Sequence, residues 1–139
     1  MMTRVKSERG AALLETAITL PIILLVSVSI FEFGRAYQTW QVLTNAAREG
    51  ARIACLPDYT DTQVTTTVTN YMNGGRLNGA SAAISVVRNV PFGATTASRV
   101  TVNYPFQFVF LGPVARLVRG NSTMGAPLTM TSSALMRNE

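Results

Sequence analysis

The stretch Ala11-Ala12-Leu13-Leu14-Glu15-Thr16-Ala17-Ile18-Thr19-Leu20-Pro21-Ile22-Ile23-Leu24-Leu25-Val26-Ser27-Val28-Ser29-Ile30 decides the fold. Its length, about 20 residues with one charge, is enough to cross a hydrocarbon core of ~30 Å as a single helix. Ahead of it, residues 1–10 are short, polar and basic, with Arg4, Lys6 and Arg9. The positive-inside bias holds such a flank in the cytoplasm and sends the C-terminal part of the chain across the membrane.

Beyond Ile30 no helix stop follows. Phe33, Tyr37, Trp40, Thr44, Ala47, Ala51 and Ala54 recur at spacings of three and four, without proline and with only Gly34 and Gly50 between them. This periodicity predicts one continuous helix over 11–54, roughly 65 Å long at 1.5 Å per residue. Pro21 removes a backbone donor and crowds the carbonyl of Ala17, so a bend or local unwinding is expected there, and Pro57 closes the helix. Ala47, Gly50, Ala51 and Ala54 put small residues along one side, where another backbone or a sheet can approach closely. Arg48, Glu49 and Arg52 read as a solvated face, and Glu32 and Arg35 as interfacial anchors at the membrane exit.

The rest is a small head. Val64, Val68, Tyr71 and Met72 predict an amphipathic helix, with Asp61 as its N-cap and Gly74-Gly75 as its stop. Residues 83–90 read as a strand and Pro91-Phe92-Gly93 as a turn. Over 99–110, Val100, Val102, Tyr104, Phe106, Phe108 and Phe110 alternate with other residues, as a half-buried strand does, and are read as core. Pro105 places that strand at an edge or marks a bulge. Gly112-Pro113 ends it, and Leu128, Met130, Ala134 and Met136 indicate a last strand. The expected class is α+β, a long membrane-spanning helix followed by a short helix and an antiparallel sheet. The divisions are 1–10, an N-terminal leader; 11–31, the span; 32–56, the helix outside the membrane; and 57–139, the head.

Composition narrows the function. The chain has 139 residues, 47% hydrophobic and 14% charged, with mean hydropathy +0.23. That leaves room for one small domain beside the span. The formal charge is +5, but the bases are spread out without interleaved aromatics, which argues against nucleic acid as a partner. With no histidine and one cysteine, Cys55, the usual zinc sites and the Ser-His and Cys-His nucleophile pairs are missing. Outside the leader and long helix the carboxylates are Asp58, Asp61 and Glu139, and no acid-base pair is legible. The expectation is no enzyme activity, no catalytic residue, no cofactor and no metal, with Cys55 incidental or buried rather than a cross-link between subunits.

Glu15 is the anomaly. A carboxylate inside a spanning helix costs about 2.5 to 3.5 kcal/mol at the centre and less near the interface, so retaining one signals a partner. If the bond between Gly10 and Ala11 were cut, the new amine of Ala11 on a neighbouring chain could meet Glu15 and set the register between subunits. The alternative is that Glu15 snorkels to the near interface and pairs with Arg9 of its own chain. A basic tail, Gly10 and Glu15 five residues on together resemble the class III leader that prepilin peptidases cut after glycine on the cytoplasmic side. A conventional signal peptide cut near Ser27-Val28-Ser29 is the second reading, disfavoured by the helix-like sequence that continues through Phe31, Phe33 and Tyr37.

Three blocks make the resemblance specific: Arg9-Gly10-Ala11-Ala12 with Glu15, Ala17 and Leu20-Pro21; Phe31-Glu32-Phe33-Gly34-Arg35; and Asn45-Ala46-Ala47-Arg48-Glu49-Gly50-Ala51-Arg52-Ile53-Ala54. In order and spacing they resemble the N-terminal signature of the TadE-like family, whose members serve the tight adherence (Flp) type IV pilus as minor pseudopilins. The resemblance covers about a third of the chain. It implies that Gly10 and Ala11 flank the processing site, that Glu15 acts in maturation and assembly, and that Pro21 is the family's membrane proline. Thr16 departs from the aromatic residue that often follows the glutamate in pilin-like sequences of this system. The implied partners are prepilin peptidase, the major Flp-type pilin, other minor pseudopilins, the inner-membrane assembly platform and membrane lipid. The implied location is the bacterial inner membrane, single-pass, with the head outside, the chain being either incorporated into the pilus or used to start it. The competing function is a membrane-anchored adhesion or binding module that never enters a filament.

Overall fold

The computed structural model describes residues 3–113 and 127–138; Met1, Met2 and Glu139 are among those outside them. Helix α1 spans Thr3–Ala54, 52 residues, or about 78 Å at 1.5 Å per residue. It starts within the polar, basic stretch ahead of Ala11 rather than at Ala11. No proline interrupts that stretch, and the one glycine, Gly10, costs a helix only about 1 kcal/mol. The helix continues through Pro21. Along its apolar part, the hydroxyls of Thr16, Thr19, Ser27 and Ser29 donate to the carbonyls of Ala12, Glu15, Ile23 and Leu25, at 2.6 to 2.9 Å. Their polar groups are thus satisfied within the helix, as a lipid surrounding requires. After Ala54 the Leu56 N–H turns back to the Ile53 carbonyl at 3.0 Å, and Pro57 follows.

Helix α2 spans Asp61–Gly74 and is capped by Thr60, not Asp61. The Thr60 hydroxyl accepts from the Gln63 N–H at 3.3 Å, and the Gln63 side-chain oxygen accepts from the Thr60 N–H at 2.9 Å, a reciprocal capping box. Thr-x-x-Gln outcompetes Asp61 because it satisfies two orphan groups at once. Gly75 ends the helix. Val64, Val68 and Met72 are buried, whereas Tyr71, expected on the same face, is 42% exposed.

Strands β1 (Ala83–Phe92), β2 (Thr95–Phe106) and β3 (Leu128–Arg137) form one antiparallel sheet in the order β1-β2-β3. This is the expected α+β class, with three corrections of detail. The first strand runs on through Pro91 and Phe92, and the turn is the Gly93-Ala94 pair, with Gly93 at φ 61°. The second starts at Thr95 and stops at Phe106, so Phe108 and Phe110 lie outside the sheet. It is also central. Pro105 is tolerated there because β1 pairing reaches only to Asn103, leaving Pro105 with a neighbour on one side, Thr129 of β3. The bulge sits on β1, between Val87 and Val90, with Asn89 at φ 57°.

The core lies between α1, α2 and the sheet: Leu43, Ala46, Ala47 and Ala51 meet Val64, Val68, Met72, Val100 and Val102. Phe33, Tyr37 and Trp40 of α1 do not join it, being 62%, 65% and 45% exposed. Gly50 is the point of closest approach. A Cβ there would stand 2.5 Å from Val68 Cγ2 and 3.1 Å from Val100 Cγ1. Gly50→Leu is therefore expected to destabilise the head by about 1–3 kcal/mol, read as a lower Tm in detergent, whereas Gly34→Leu, with open space around it, leaves the Tm unchanged.

Arg88 ties three elements together. Its guanidinium donates to the Ala54 carbonyl at the end of α1 (2.8 Å), to the Tyr59 carbonyl (2.6 Å) and to the Asp61 carboxylate at the start of α2 (2.7 Å). The Ser98 hydroxyl also donates, either to the Ala54 carbonyl (3.1 Å) or to Asn138 Oδ1 (2.7 Å). Arg88→Ala should cost about 2–3 kcal/mol and open the 55–60 connection to protease. Arg88→Lys should recover only part of this, because one ammonium cannot span the three acceptors.

Candidate functional site

Gly10, Ala11, Glu15 and Pro21 are strung along the lower part of α1, and all four are exposed. One 18-residue window within Gly10–Ala54 has mean hydropathy 2.2 and no buried residue; among the described residues this is the one helix long and apolar enough to cross a membrane. Leu13, Leu14 and Ile18 around Glu15 are 72%, 64% and 60% exposed. Glu15 lies four residues beyond Ala11, so the two share a helix face one turn apart. Gly10 makes no close approach, for a Cβ there would meet nothing within 4 Å. Among the described residues no close packing or turn accounts for a glycine at that position.

The structure keeps these residues away from the head's core, but it builds a second feature further along α1, at Glu32 and Arg35, the residues expected to be interfacial anchors. Glu32 is fully buried. Its Oε2 accepts the Val109 N–H at 2.8 Å, while Oε1 is buried without a hydrogen-bond partner among the described residues. Arg35, one turn on, donates through Nη2 to the Gln107 carbonyl, and its guanidinium lies 4.9 Å from the centre of the Phe106 ring. Phe108 packs edge-on against Phe106 and Phe33, with centroids 5.2 and 6.3 Å apart. Residues 107–113, leaving β2, are thereby held along α1. The available sequence signal was a Glu and an Arg three residues apart beside Phe31 and Phe33, which showed a shared helix face but not what that face would grip.

The other charges match the solvated reading. Glu49 accepts from Arg52 at 2.7 and 2.9 Å, and this hydrogen bond holds the Glu49 carboxyl below its ordinary range, while Glu49 in turn raises Arg52. Asp61 is bound to Arg88 rather than to another acid. Among the described residues no three His, Cys, Asp or Glu side chains come together. Cys55 is half-buried, and its thiol donates to the Ala51 carbonyl at 3.1 Å.

The family model described as TadE-like protein matches residues 10–52, a segment that begins at Gly10 and ends inside the buried end of α1. No curated protein matches the chain, and no solved structure does. The match covers about a third of the chain, and the long apolar helix is consistent with a single-pass membrane anchor.

Proposed function

We propose, on the premise that residues 10–52 are TadE-like, that the chain is a minor pilin-like subunit, a pseudopilin, for assembly of a tight adherence (Flp) type IV pilus. Prepilin peptidase cuts between Gly10 and Ala11. The mature helix stays in the bacterial inner membrane, with its N-terminus on the cytoplasmic side and the head outside. The role is structural, with no reaction catalysed by the chain itself.

One observation carries this reading: a carboxylate, Glu15, stands exposed on the apolar helix one turn beyond the residue that would become the new N-terminus. A lone charge on a lipid-facing helix is costly, and a helix-borne cation on a second subunit offsets that cost. The newly freed amine of Ala11 on a neighbouring chain is such a cation, because cutting after Gly10 creates it one turn from the level of Glu15, an offset of about 6 Å that an axial shift between neighbours closes. Pairing across chains would then fix the axial register of subunits, as an isolated polar group does in helical assemblies. Pro21 supplies a local weakness in the hydrogen-bond ladder that lets the helix adapt its path among neighbours.

The partners in this reading are the peptidase, the major Flp-type pilin, other minor pseudopilins and the inner-membrane assembly platform. Deletion of the chain is expected to abolish or sharply reduce surface pili, and affinity capture of the head is expected to bring down the major pilin and the platform. Normal piliation on deletion, with a soluble ligand captured in place of pilus components, would replace this reading with that of an anchored binding module.

A further inference from the structure

Residues 107–113 leave the sheet and run along the helix that crosses the membrane. They form one wall of an apolar groove of about 430 Å³, with Val109, Phe110 and Leu111 facing Leu24, Leu25 and Val28 of α1. Val109 and Phe110 are each 51% exposed, and Leu24 and Leu25 are 55% and 52% exposed. A patch of this kind open to water is rare on a soluble head, and it is continuous with the uncovered face of the span.

Depth decides what surrounds it. With the span over 11–31 and 1.5 Å per residue, the α1 wall begins about 4 Å below Phe31, at Val28. It extends to Pro21, at about 15 Å. This is the half of a ~30 Å hydrocarbon core nearest the head. Irregular backbone at that depth is tolerated only where its polar groups find partners inside the protein. The chain provides two of them at the entry point: Glu32 accepts the Val109 N–H, and Arg35 donates to the Gln107 carbonyl. The full burial of Glu32 also has its reason here, as a carboxylate spent on a descending backbone rather than on water.

We propose that residues 108–113 are a second membrane contact: they lie within the bilayer beside α1, and lipid acyl chains fill the groove between them. The head is then fixed against the membrane at two points, which sets its tilt on the helix. This rests on the span itself but not on pilus assembly.

The test uses the full chain in phosphatidylcholine vesicles whose acyl chains carry bromine, with Trp40→Phe removing the single tryptophan. Phe110→Trp and, separately, Leu111→Trp report on the segment, Ile23→Trp on the span and Tyr71→Trp on the head. The expected result is bromine quenching of Phe110→Trp and Leu111→Trp comparable to that of Ile23→Trp, with blue-shifted emission and little quenching by aqueous iodide. Tyr71→Trp should behave in the opposite way. Iodide quenching of both segment reporters while Ile23→Trp remains quenched by bromine would overturn the second contact and leave the span intact. Protection from both quenchers, with dimers trapped by cross-linking, would give the groove to a second copy and equally overturn it. Loss of bromine quenching at Ile23→Trp would remove the span and this contact together.

Discussion

Gly10→Leu is expected to leave the chain uncut by prepilin peptidase, so that precursor accumulates in the membrane and no mature form is seen on a gel. The fold itself gives no reason for this outcome. A Cβ at Gly10 meets nothing within 4 Å, so a side larger than hydrogen fits without displacing any neighbour. Replacing a mid-helix glycine even favours α1, by up to about 1 kcal/mol for alanine. A loss of cutting therefore cannot be laid to misfolding and must arise in the peptidase. A protease reads an extended backbone, whereas residues 3–54 form one helix, so the site must unwind to be cut. Glycine is the residue at which unwinding costs least and at which an enzyme's backbone can come closest. Gly10→Ala should retain more cutting than Gly10→Leu, and equal cutting of all three chains would remove Gly10 from the processing site.

Glu15→Val is expected to insert into the membrane and be processed normally, yet to yield few or no pili. Insertion should improve, since the substitution removes a charge whose placement in a spanning helix costs about 2.5 to 3.5 kcal/mol at the centre. The loss appears only when subunits meet. Without the carboxylate, nothing on the helix between residues 11 and 31 distinguishes one axial register from the next beyond the hydroxyls of Thr16, Thr19, Ser27 and Ser29. Those already donate within their own helix. Glu15→Gln separates charge from polarity: it keeps a hydrogen-bonding group but cannot neutralise an amine, so it should fail as the valine variant does. Full piliation with valine would show that Glu15 merely snorkels to the interface beside Arg9.

The long helix, the amphipathic α2 and the alternating Val100-Val102-Tyr104-Phe106 strand were legible because each is a local period set against clear breakers. Small residues at Ala47, Gly50 and Ala51 likewise announced a close approach, which Val68 and Val100 then make. What could not be read was tertiary choice. Alternation continues through Phe108 and Phe110, yet the chain leaves the sheet after Phe106 because Glu32 and Arg35, more than 70 residues earlier, hold the backbone of Gln107 and Val109. Pro105 looked like an edge marker, but the length of β1 decided its surroundings. Arg88 sat unremarked inside a Val-rich strand, although the link between α1 and α2 depends on it. At the candidate site the pattern of residue types was visible from the start. In the proposed reading, Glu15 acts on a second chain, and a residue pattern within one chain does not reveal such a contact.

Sequencing the N-terminus of the protein isolated from membranes, with and without prepilin peptidase, reaches the common premise of these expectations. A chain beginning at Ala11 only when the enzyme is present is the predicted result. A chain still beginning at Met1 beside fully processed major pilin would contradict it, since Glu15 would then have no new amine to meet.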